Sequence, residues 1–159
     1  MNLQEGMHTV ASPSPTLWLD DFKPGAVFSG GPRTVNERDL LFCALWCGDG
    51  QPHSNEEYSR GTPFGRRIVH GDGTMAMGMG MIHGQGMFAE SLVGYDTMAI
   101  KYPNPVYIGD AIQSRLTIGK VDAADAREGT VDGILEISTE GGEKLVVRIE
   151  VRYRVKRKA

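Results

Sequence analysis

The residues best suited to chemistry lie in the short segment GDGQPH, residues 48–53. It places the carboxylate of Asp49 and the imidazole of His53 four positions apart, on a turn expected to end a helix. A carboxylate and an imidazole held close together can take a proton from one atom of a substrate and return it to another. The alternative roles are structural, because Asp often caps turns and His often lies in surface loops. The pair therefore predicts general acid–base catalysis.

A second motif, His70-Gly71-Asp72-Gly73, precedes a stretch rich in glycine and methionine. A glycine at a helix start offers an unpaired N–H at the positive end of the helix dipole, so Gly71 is a candidate oxyanion donor. We expect His70 to order the loop rather than to catalyse. The motif lacks the strand, the spacing and the acidic residue of a dinucleotide-binding fingerprint, and no cofactor is predicted.

The histidines of the chain do not form a recognisable metal motif. His53, His70, His83 and Asp72 could in principle bind an ion, but no HExxH or paired-ligand spacing supports a site. His83 lies in the apolar stretch, where a buried histidine with satisfied hydrogen bonds is the commoner role. No metal is therefore predicted.

A helix should precede the candidate catalytic turn. Thr34 or Asn36 can cap it, and acidic residues fill its first turn. The apolar residues 40–46 follow, and the helix should end at Gly48. Residues 49–70 then form a long irregular stretch, of the kind that usually has a function.

A second helix is expected within residues 71–88, although recurring glycine lowers the helix propensity there. Met75, Met79 and Ile82 recur at helical spacing, and the other methionines make the remaining faces apolar. A helix that is apolar on all sides is a buried one, and its glycines would let a surrounding sheet approach its backbone closely.

The rest of the chain is strand-like. An extended segment with a turn at Lys23-Pro24-Gly25 is expected over residues 17–28. Alternating apolar and polar residues predict strands over residues 97–102, 111–121, 131–138 and 144–155. This order of elements favours an α+β fold in which an antiparallel sheet wraps around the central buried helix.

Length and composition fit one domain. With 159 residues and a net charge of −3, one core suffices and a nucleic-acid partner is not expected. Residues 1–16 carry little apolar material and are predicted to be a flexible segment before a domain over residues 17–159. Without a membrane-spanning or leader-like stretch, a cytoplasmic protein is expected. Cys43 and Cys47 fit reduced core thiols.

Five short motifs, taken in order, resemble one protein family. Residues 48–53 resemble a GDxNPxH turn, residues 56–58 an acidic and aromatic stretch, residues 62–65 a TxFG segment, residues 68–71 an I(V/A)HG helix entry, and residues 105–110 a PVYxGD strand entry. This combination resembles the MaoC-like (R)-specific enoyl-CoA hydratases and related dehydratases. The resemblance covers roughly residues 20–155.

The resemblance implies a hot-dog fold, paired into a homodimer or a higher homo-oligomer. It implies that Asp49 and His53 are the catalytic pair and that the Gly71 N–H is the oxyanion donor. The implied reaction is reversible addition of water to a 2-enoyl thioester, with an acyl-CoA as substrate and without a metal or other cofactor. Residues of the shared motifs would bind this substrate, namely Pro52, Phe64, Ile68, Val69, His70 and Gly73.

The chain departs from the family pattern at two positions. One residue fewer separates Asp49 from His53 than in the pattern, a change that could displace the imidazole and adapt the site to another substrate. Met79 stands where some members carry a serine that holds the aspartate.

Two other functions stay open at this point. The first is a hot-dog thioesterase, for which Glu56 or Glu57 would be the acid of the loop. The second is a non-catalytic partner subunit or acyl-binding module, in which the shortened turn marks a decayed site. Fold alone does not decide among these functions.

Overall fold

The computed structural model describes residues 15–158. Its helices are α1 (Glu37–Cys47), α2 (Glu56–Arg60) and α3 (Gly71–His83), and its strands are β1 (Val27–Thr34), β2 (Leu92–Lys101), β3 (Ala111–Ala123), β4 (Glu128–Thr139) and β5 (Lys144–Lys156). No helix in this part of the chain has the length and the apolar content needed to cross a membrane. The predicted flexible segment lies largely outside the described residues, so the domain boundary at residue 17 stays a prediction.

Within residues 15–158 the strands form one five-stranded antiparallel sheet in the order β1-β3-β4-β5-β2. On β5, the odd-numbered residues from Val147 to Val155 are at most 4% exposed, as the predicted alternation requires. Each such side chain contributes roughly 1.5–3 kcal/mol when fully buried. On the outer face, Arg152 pairs with Asp132 of β4.

Helix α3 packs against the inner face of this sheet. Gly78 marks the closest approach, because a Cβ at this position would overlap the Cδ1 atom of Ile137 on β4. Ser114 of β3 donates a hydrogen bond from its hydroxyl to the Gly78 carbonyl at 2.9 Å. The prediction of an α+β fold is confirmed, and a sheet wrapped around one helix is the hot-dog architecture.

The prediction of a helix buried on all sides is wrong. Helix α3 ends at His83 rather than near residue 88, and turns follow it. Gly78 and Ile82 are buried against the sheet, whereas Ala76 and Gly80 on the opposite side are exposed. The apolar pattern does not reveal the uncovered side, because one chain supplies only one sheet layer.

Helix α1 begins and ends where the sequence predicts. The Asn36 side chain accepts hydrogen bonds from the N–H groups of Arg38 and Asp39, and the Asp39 carboxylate accepts one from the Asn36 N–H. This reciprocal capping box fixes the first turn. Gly48 adopts a left-handed conformation, with φ of 76°, and ends the helix.

Much of the apolar surface of α1 is uncovered. Phe42, Leu45 and Trp46 are 68%, 85% and 79% exposed. The prediction that the cysteines are core thiols is wrong in the same way, because Cys43 is half-buried and Cys47 is exposed, although both are free. Apart from the buried Leu40, α1 lies over α3 outside the main core, so apolar composition did not imply burial here.

Strand β1 differs from its prediction. The turn at Pro24-Gly25 is confirmed, but a 3-10 turn interrupts the segment before it, and the strand continues to Thr34. Glycine and proline are poor strand residues, so no local pattern marks residues 29–34 as a strand. A bulge between Gly30 and Arg33 accommodates them at the edge of the sheet.

Candidate active site

Asp49 and His53 lie on the turn that follows α1. The N–H groups of His53 and Ser54 donate to the Gly50 carbonyl at 3.2 and 2.6 Å, which closes the turn. The Asp49 side chain is 62% exposed, whereas His53 is buried. The Nε2 atom of His53 lies 3.9 Å from Oδ2 of Asp49. The shorter spacing therefore still brings carboxylate and imidazole together.

A backbone carbonyl determines which nitrogen of His53 carries the proton. Its Nδ1 lies 2.7 Å from the carbonyl oxygen of Ile68, and because a carbonyl can only accept, Nδ1 is the donor. In the neutral ring we therefore assign the lone pair to Nε2, the atom that faces Asp49. The gap of 3.9 Å exceeds a direct hydrogen bond, so a water or a substrate atom can lie between the two groups.

His70 reaches the same turn from the segment that enters α3. Its Nε2 donates to the backbone carbonyl of Asp49 at 2.9 Å. Its ring stacks on that of His53, with centroids 3.5 Å apart and planes 24° from parallel. Its Nδ1 is buried and has no hydrogen-bond partner in the described part of the chain. Sequence reasoning missed this stacking, because no local pattern relates residues so far apart along the chain.

The N-terminal end of α3 presents unpaired N–H groups beside these rings. No oxygen in residues 15–158 accepts a hydrogen bond from the Gly71 N–H, and the positive end of the helix dipole lies here. A Cβ at Gly71 would come within 2.9 Å of Cε1 of Tyr102. Any side chain at this position would therefore displace the tyrosine ring or the start of the helix.

Tyr102 is a site residue that the sequence analysis did not identify. Its hydroxyl donates to Oδ1 of Asp72 at 2.5 Å and so ties the segment after β2 to the first turn of α3. Burial, with the hydrogen bond to Asp72 and the charge of that carboxylate, raises the pKa of Tyr102 well above its ordinary range. The phenol therefore remains a donor. A single tyrosine after a strand carries no sequence signal for such a role.

Two pockets flank the N-terminal end of α3. The smaller, of about 190 Å³, is mainly apolar, and three predicted substrate-binding residues, Phe64, Ile68 and Val69, line it. Gly71 and Tyr102 also line this pocket. The smaller pocket thus brings the candidate oxyanion donor together with apolar side chains.

The larger pocket, of about 660 Å³, lies between α1 and α3. Asp49 lines it together with two other predicted site residues, His70 and Gly73. Phe42 and Trp46 form its aromatic wall, with ring centroids 6.5 Å apart. The predicted substrate-binding residues are therefore divided between two pockets on either side of the helix end.

Pro52 lines neither of these pockets and contacts α2 instead. Its carbonyl accepts a hydrogen bond from the buried Ser59 hydroxyl at 2.6 Å. The same hydroxyl also donates to the Asn55 carbonyl at 2.7 Å. Pro52 thus helps to fix the turn that carries Asp49 and His53.

Arg67 joins the elements around the site. Its guanidinium donates to both carboxylate oxygens of Glu37 at 2.7 and 2.8 Å, and to Glu56 at 3.2 Å. The hydrogen bond from Arg67 lowers the pKa of Glu37. The ion pairs therefore hold α1, α2 and the segment entering α3 in one arrangement.

Comparison with known proteins identifies the family. Residues 21–139 match the family described as MaoC like domain. This chain belongs to that family. It is 30% identical over 106 residues to an (R)-specific enoyl-CoA hydratase of Rhodospirillum rubrum, in a match that covers 64% of this chain and 69% of that protein.

Solved structures from the family's fold agree with the architecture. A monoamine oxidase regulatory protein of Archaeoglobus has a TM-score of 0.83 and 24% identity, and the match covers 91% of this chain and 97% of that chain. An R-hydratase of Pseudomonas aeruginosa, in its unliganded form, has a TM-score of 0.74 and 21% identity over 90% of this chain and 88% of its own. These similarities establish the hot-dog fold of this family member.

Three side chains of the candidate site could also supply metal ligands. Asp49, His53 and His70 each offer one ligand atom within 4.8 Å of the other two. His83 and Asp72, grouped with them in the sequence analysis, do not belong to this cluster. Nδ1 of His53 and Nε2 of His70 donate to backbone carbonyls, so each ring has one nitrogen left for an ion, and that of His70 is buried. The geometry suits hydrogen bonding better than coordination.

Proposed function

We propose that this protein is a hydro-lyase that reversibly adds water across the α,β double bond of a 2-enoyl thioester. The observation that carries the proposal is the placement of the His53 Nε2 lone pair opposite the Asp49 carboxylate, near the unpaired N–H groups of α3. The (R)-specific enoyl-CoA hydratase among the relatives supports this reaction and an acyl-CoA as the substrate.

In this proposal, Asp49 and His53 carry the proton of the attacking water. The water oxygen bonds to C3, and the proton that it loses passes through the pair to C2. The product then contains both hydrogens of the water, one on the new hydroxyl and one on C2. Because the pair returns to its starting state, the reaction needs no cofactor. Dehydration follows the same steps in reverse.

The Gly71 N–H is the proposed oxyanion donor. Addition at C3 places negative charge on the thioester carbonyl oxygen, and a preorganised donor stabilises that charge. Removal of one such donor typically costs about 3–4 kcal/mol. The position of Gly71 at the positive end of α3, with its N–H free, supports this role.

The two pockets support a thioester that crosses the N-terminal end of α3. Phe64, Ile68 and Val69 would contact it on the side of Gly71. On the other side, His70 and Gly73 line the wall near Asp49. Pro52 would act indirectly, by fixing the turn that carries the catalytic pair.

Neither alternative function gains support from the site. A thioesterase would need a loop acid at the thioester carbon, but Glu56 pairs with Arg67 and with Arg60. Glu57 is exposed on α2 and lines neither of the two pockets. In a non-catalytic subunit, the tautomer of His53 would not matter. Here a hydrogen bond to the Ile68 carbonyl fixes that tautomer and leaves the Nε2 lone pair facing Asp49.

The assay that tests the proposal separates these functions. Purified protein is mixed with a panel of 2-enoyl-CoA and enoyl carrier-protein esters, while absorbance of the conjugated enoyl group and release of free thiol are followed. We expect loss of absorbance without thiol release, and the Glu57→Gln control should match wild type. Thiol release would identify a thioesterase, and neither signal on any ester would contradict catalysis.

We also propose that two copies pair through β2. This strand lies at one edge of the sheet, and Met98 and Ala99, on opposite faces, are both exposed. The other edge, β1, carries Pro32 and a bulge, features that protect an edge from pairing. Joining two β2 strands would make one continuous sheet.

Light scattering tests this pairing. Wild type should be a dimer at micromolar concentration, and Met98→Lys should shift it toward monomer because the lysine would lie in the shared edge. Leu41→Lys, at a similarly exposed apolar position on α1, is the matched control and should remain dimeric. A monomeric wild type would contradict the pairing.

A further inference from the structure

We propose that His70 is a positioning residue that holds both members of the catalytic pair, a role that rests on the function proposed for Asp49 and His53. It acts in two ways, through a hydrogen bond to the backbone of Asp49 and through ring stacking on His53. It does not itself transfer the proton of the reaction.

At this point, each of two chain segments donates an imidazole hydrogen bond to a backbone carbonyl of the other. From the turn, His53 donates to the Ile68 carbonyl, and from the segment entering α3, His70 donates back to the Asp49 carbonyl. The two rings stack between these bonds, and we call this pair of rings the histidine clasp. Each ring therefore fixes the segment that carries the other.

Asp49 depends on the clasp more than His53 does. Its carboxylate is largely exposed and accepts no hydrogen bond from residues 15–158. The bond from His70 to its carbonyl is the contact that joins its backbone to the entry of α3. Without that bond the carboxylate would move relative to Nε2 of His53, and displacement of about 1 Å can cost about a hundredfold in rate.

The surroundings of His70 suit a fixed hydrogen-bond donor. Its Nε2 donates to the Asp49 carbonyl, and its Nδ1 is buried without a partner in the described part of the chain. The residue therefore serves as a fixed donor and a flat surface rather than as a proton carrier.

Three substitutions separate the two actions. His70→Gln keeps an N–H at about the distance of Nε2 from the backbone but removes the flat ring. His70→Phe keeps the ring but removes the donor, and His70→Ala removes both. We expect His70→Ala to lower kcat by about a hundredfold with little change in KM, and each of the other two to recover about tenfold of that loss.

Nitrogen NMR of the imidazoles provides a readout that does not depend on activity. Long-range proton–nitrogen spectra report which nitrogen of His53 carries the hydrogen. Wild type should show a single Nδ1-protonated tautomer, as the bond to the Ile68 carbonyl requires. His70→Phe should retain it, whereas His70→Ala should show averaging between the tautomers because the unstacked His53 ring would turn away from the Ile68 carbonyl.

The outcomes distinguish this inference from the proposed function. A wild-type kcat in His70→Ala, or the same single tautomer in that variant, would overturn the positioning role. Complete loss of activity in all three variants would also overturn the positioning role. Neither the donor alone nor the ring alone would then restore any activity, and the whole imidazole would be required. If wild type hydrates no ester, the proposed function fails while the NMR comparison still tests the clasp.

Discussion

Helix α3 has histidines at both ends, and the two settings differ in what they leave free. At the N-terminal end, backbone carbonyls hold one nitrogen each of His53 and His70, and the lone pair of His53 faces the carboxylate of Asp49, which lines the larger pocket. At the C-terminal end, His83 lies within an aromatic cluster. Both settings contain buried rings, so burial alone does not mark the site.

The aromatic cluster occupies both nitrogens of His83. The hydroxyls of Tyr153 and Tyr95 lie 3.4 Å from its Nε2 and Nδ1, and Phe88 packs edge-on at 5.1 Å. Burial lowers the pKa of His83 and raises the pKa of Tyr95 and Tyr153. Every group there favours its neutral form, which suits packing and leaves no lone pair for a substrate.

This difference shows that the hydrogen-bond partner of a histidine indicates whether its role is structural or functional. Carbonyl partners can only accept, so they fix one tautomer and leave the opposite nitrogen of His53 available. Hydroxyl partners can both donate and accept, so they satisfy His83 on both sides.

The largest expected effects come from replacing one histidine near each end of α3, His53 at the N-terminal end and His83 at the C-terminal end. His53→Ala should lower the hydration rate at least about a hundredfold while the protein still folds, because it removes a proton-transfer group. His83→Ala should cost roughly 1–3 kcal/mol of unfolding free energy, because it leaves a cavity, and should keep the rate within about threefold. Enzyme kinetics and urea unfolding check both, and the reverse result would break the comparison.

A smaller effect is expected from glycine substitutions along α3. Gly71→Ala should lower kcat/KM by about tenfold or more, because the new methyl group meets the Tyr102 ring and shifts the N–H that serves as oxyanion donor. Gly80→Ala is the matched control, since a Cβ there meets nothing within 4 Å. The control should keep the rate and gain about 0.5–1 kcal/mol of stability from helix propensity. Equal rates for both variants would remove Gly71 from the mechanism.

The smallest expected effect is on the pH dependence of stability, through His83 at the C-terminal end of α3. Burial lowers the folded-state pKa of His83 below its ordinary value of 6.5. The unfolded chain therefore binds this proton more readily, and its contribution to the unfolding free energy falls as pH drops from about 6.5 toward the folded-state pKa. His83→Phe should make the fall shallower between about pH 7 and 5 in urea unfolding. Parallel curves for wild type and variant would contradict this.

Local signals made part of this molecule predictable from its sequence. Asn36 and Gly48 set the ends of α1 through interactions within a few residues, and the alternation on β5 identifies its buried face. The motif around Asp49 and His53 pointed to a pair that the fold brings to 3.9 Å. Caps, turns and alternation are short-range, so they are visible in one sequence.

The remaining features depend on contacts between distant segments. The stacking of His70 on His53 and the bond from Tyr102 to Asp72 join residues with no local relation. The exposed side of α1 could not be predicted either, because its apolar residues look the same whether or not another surface covers them. Tertiary packing decides these features.

The most direct test of the catalytic pair is the hydration rate of Asp49→Asn on the 2-enoyl thioester that wild type converts fastest. The substitution preserves shape but removes the carboxylate that can share a proton with His53. We predict a loss of at least about a hundredfold, with an unchanged fold by circular dichroism and thermal unfolding. A rate near that of wild type would contradict the role of Asp49 and with it the proposed site.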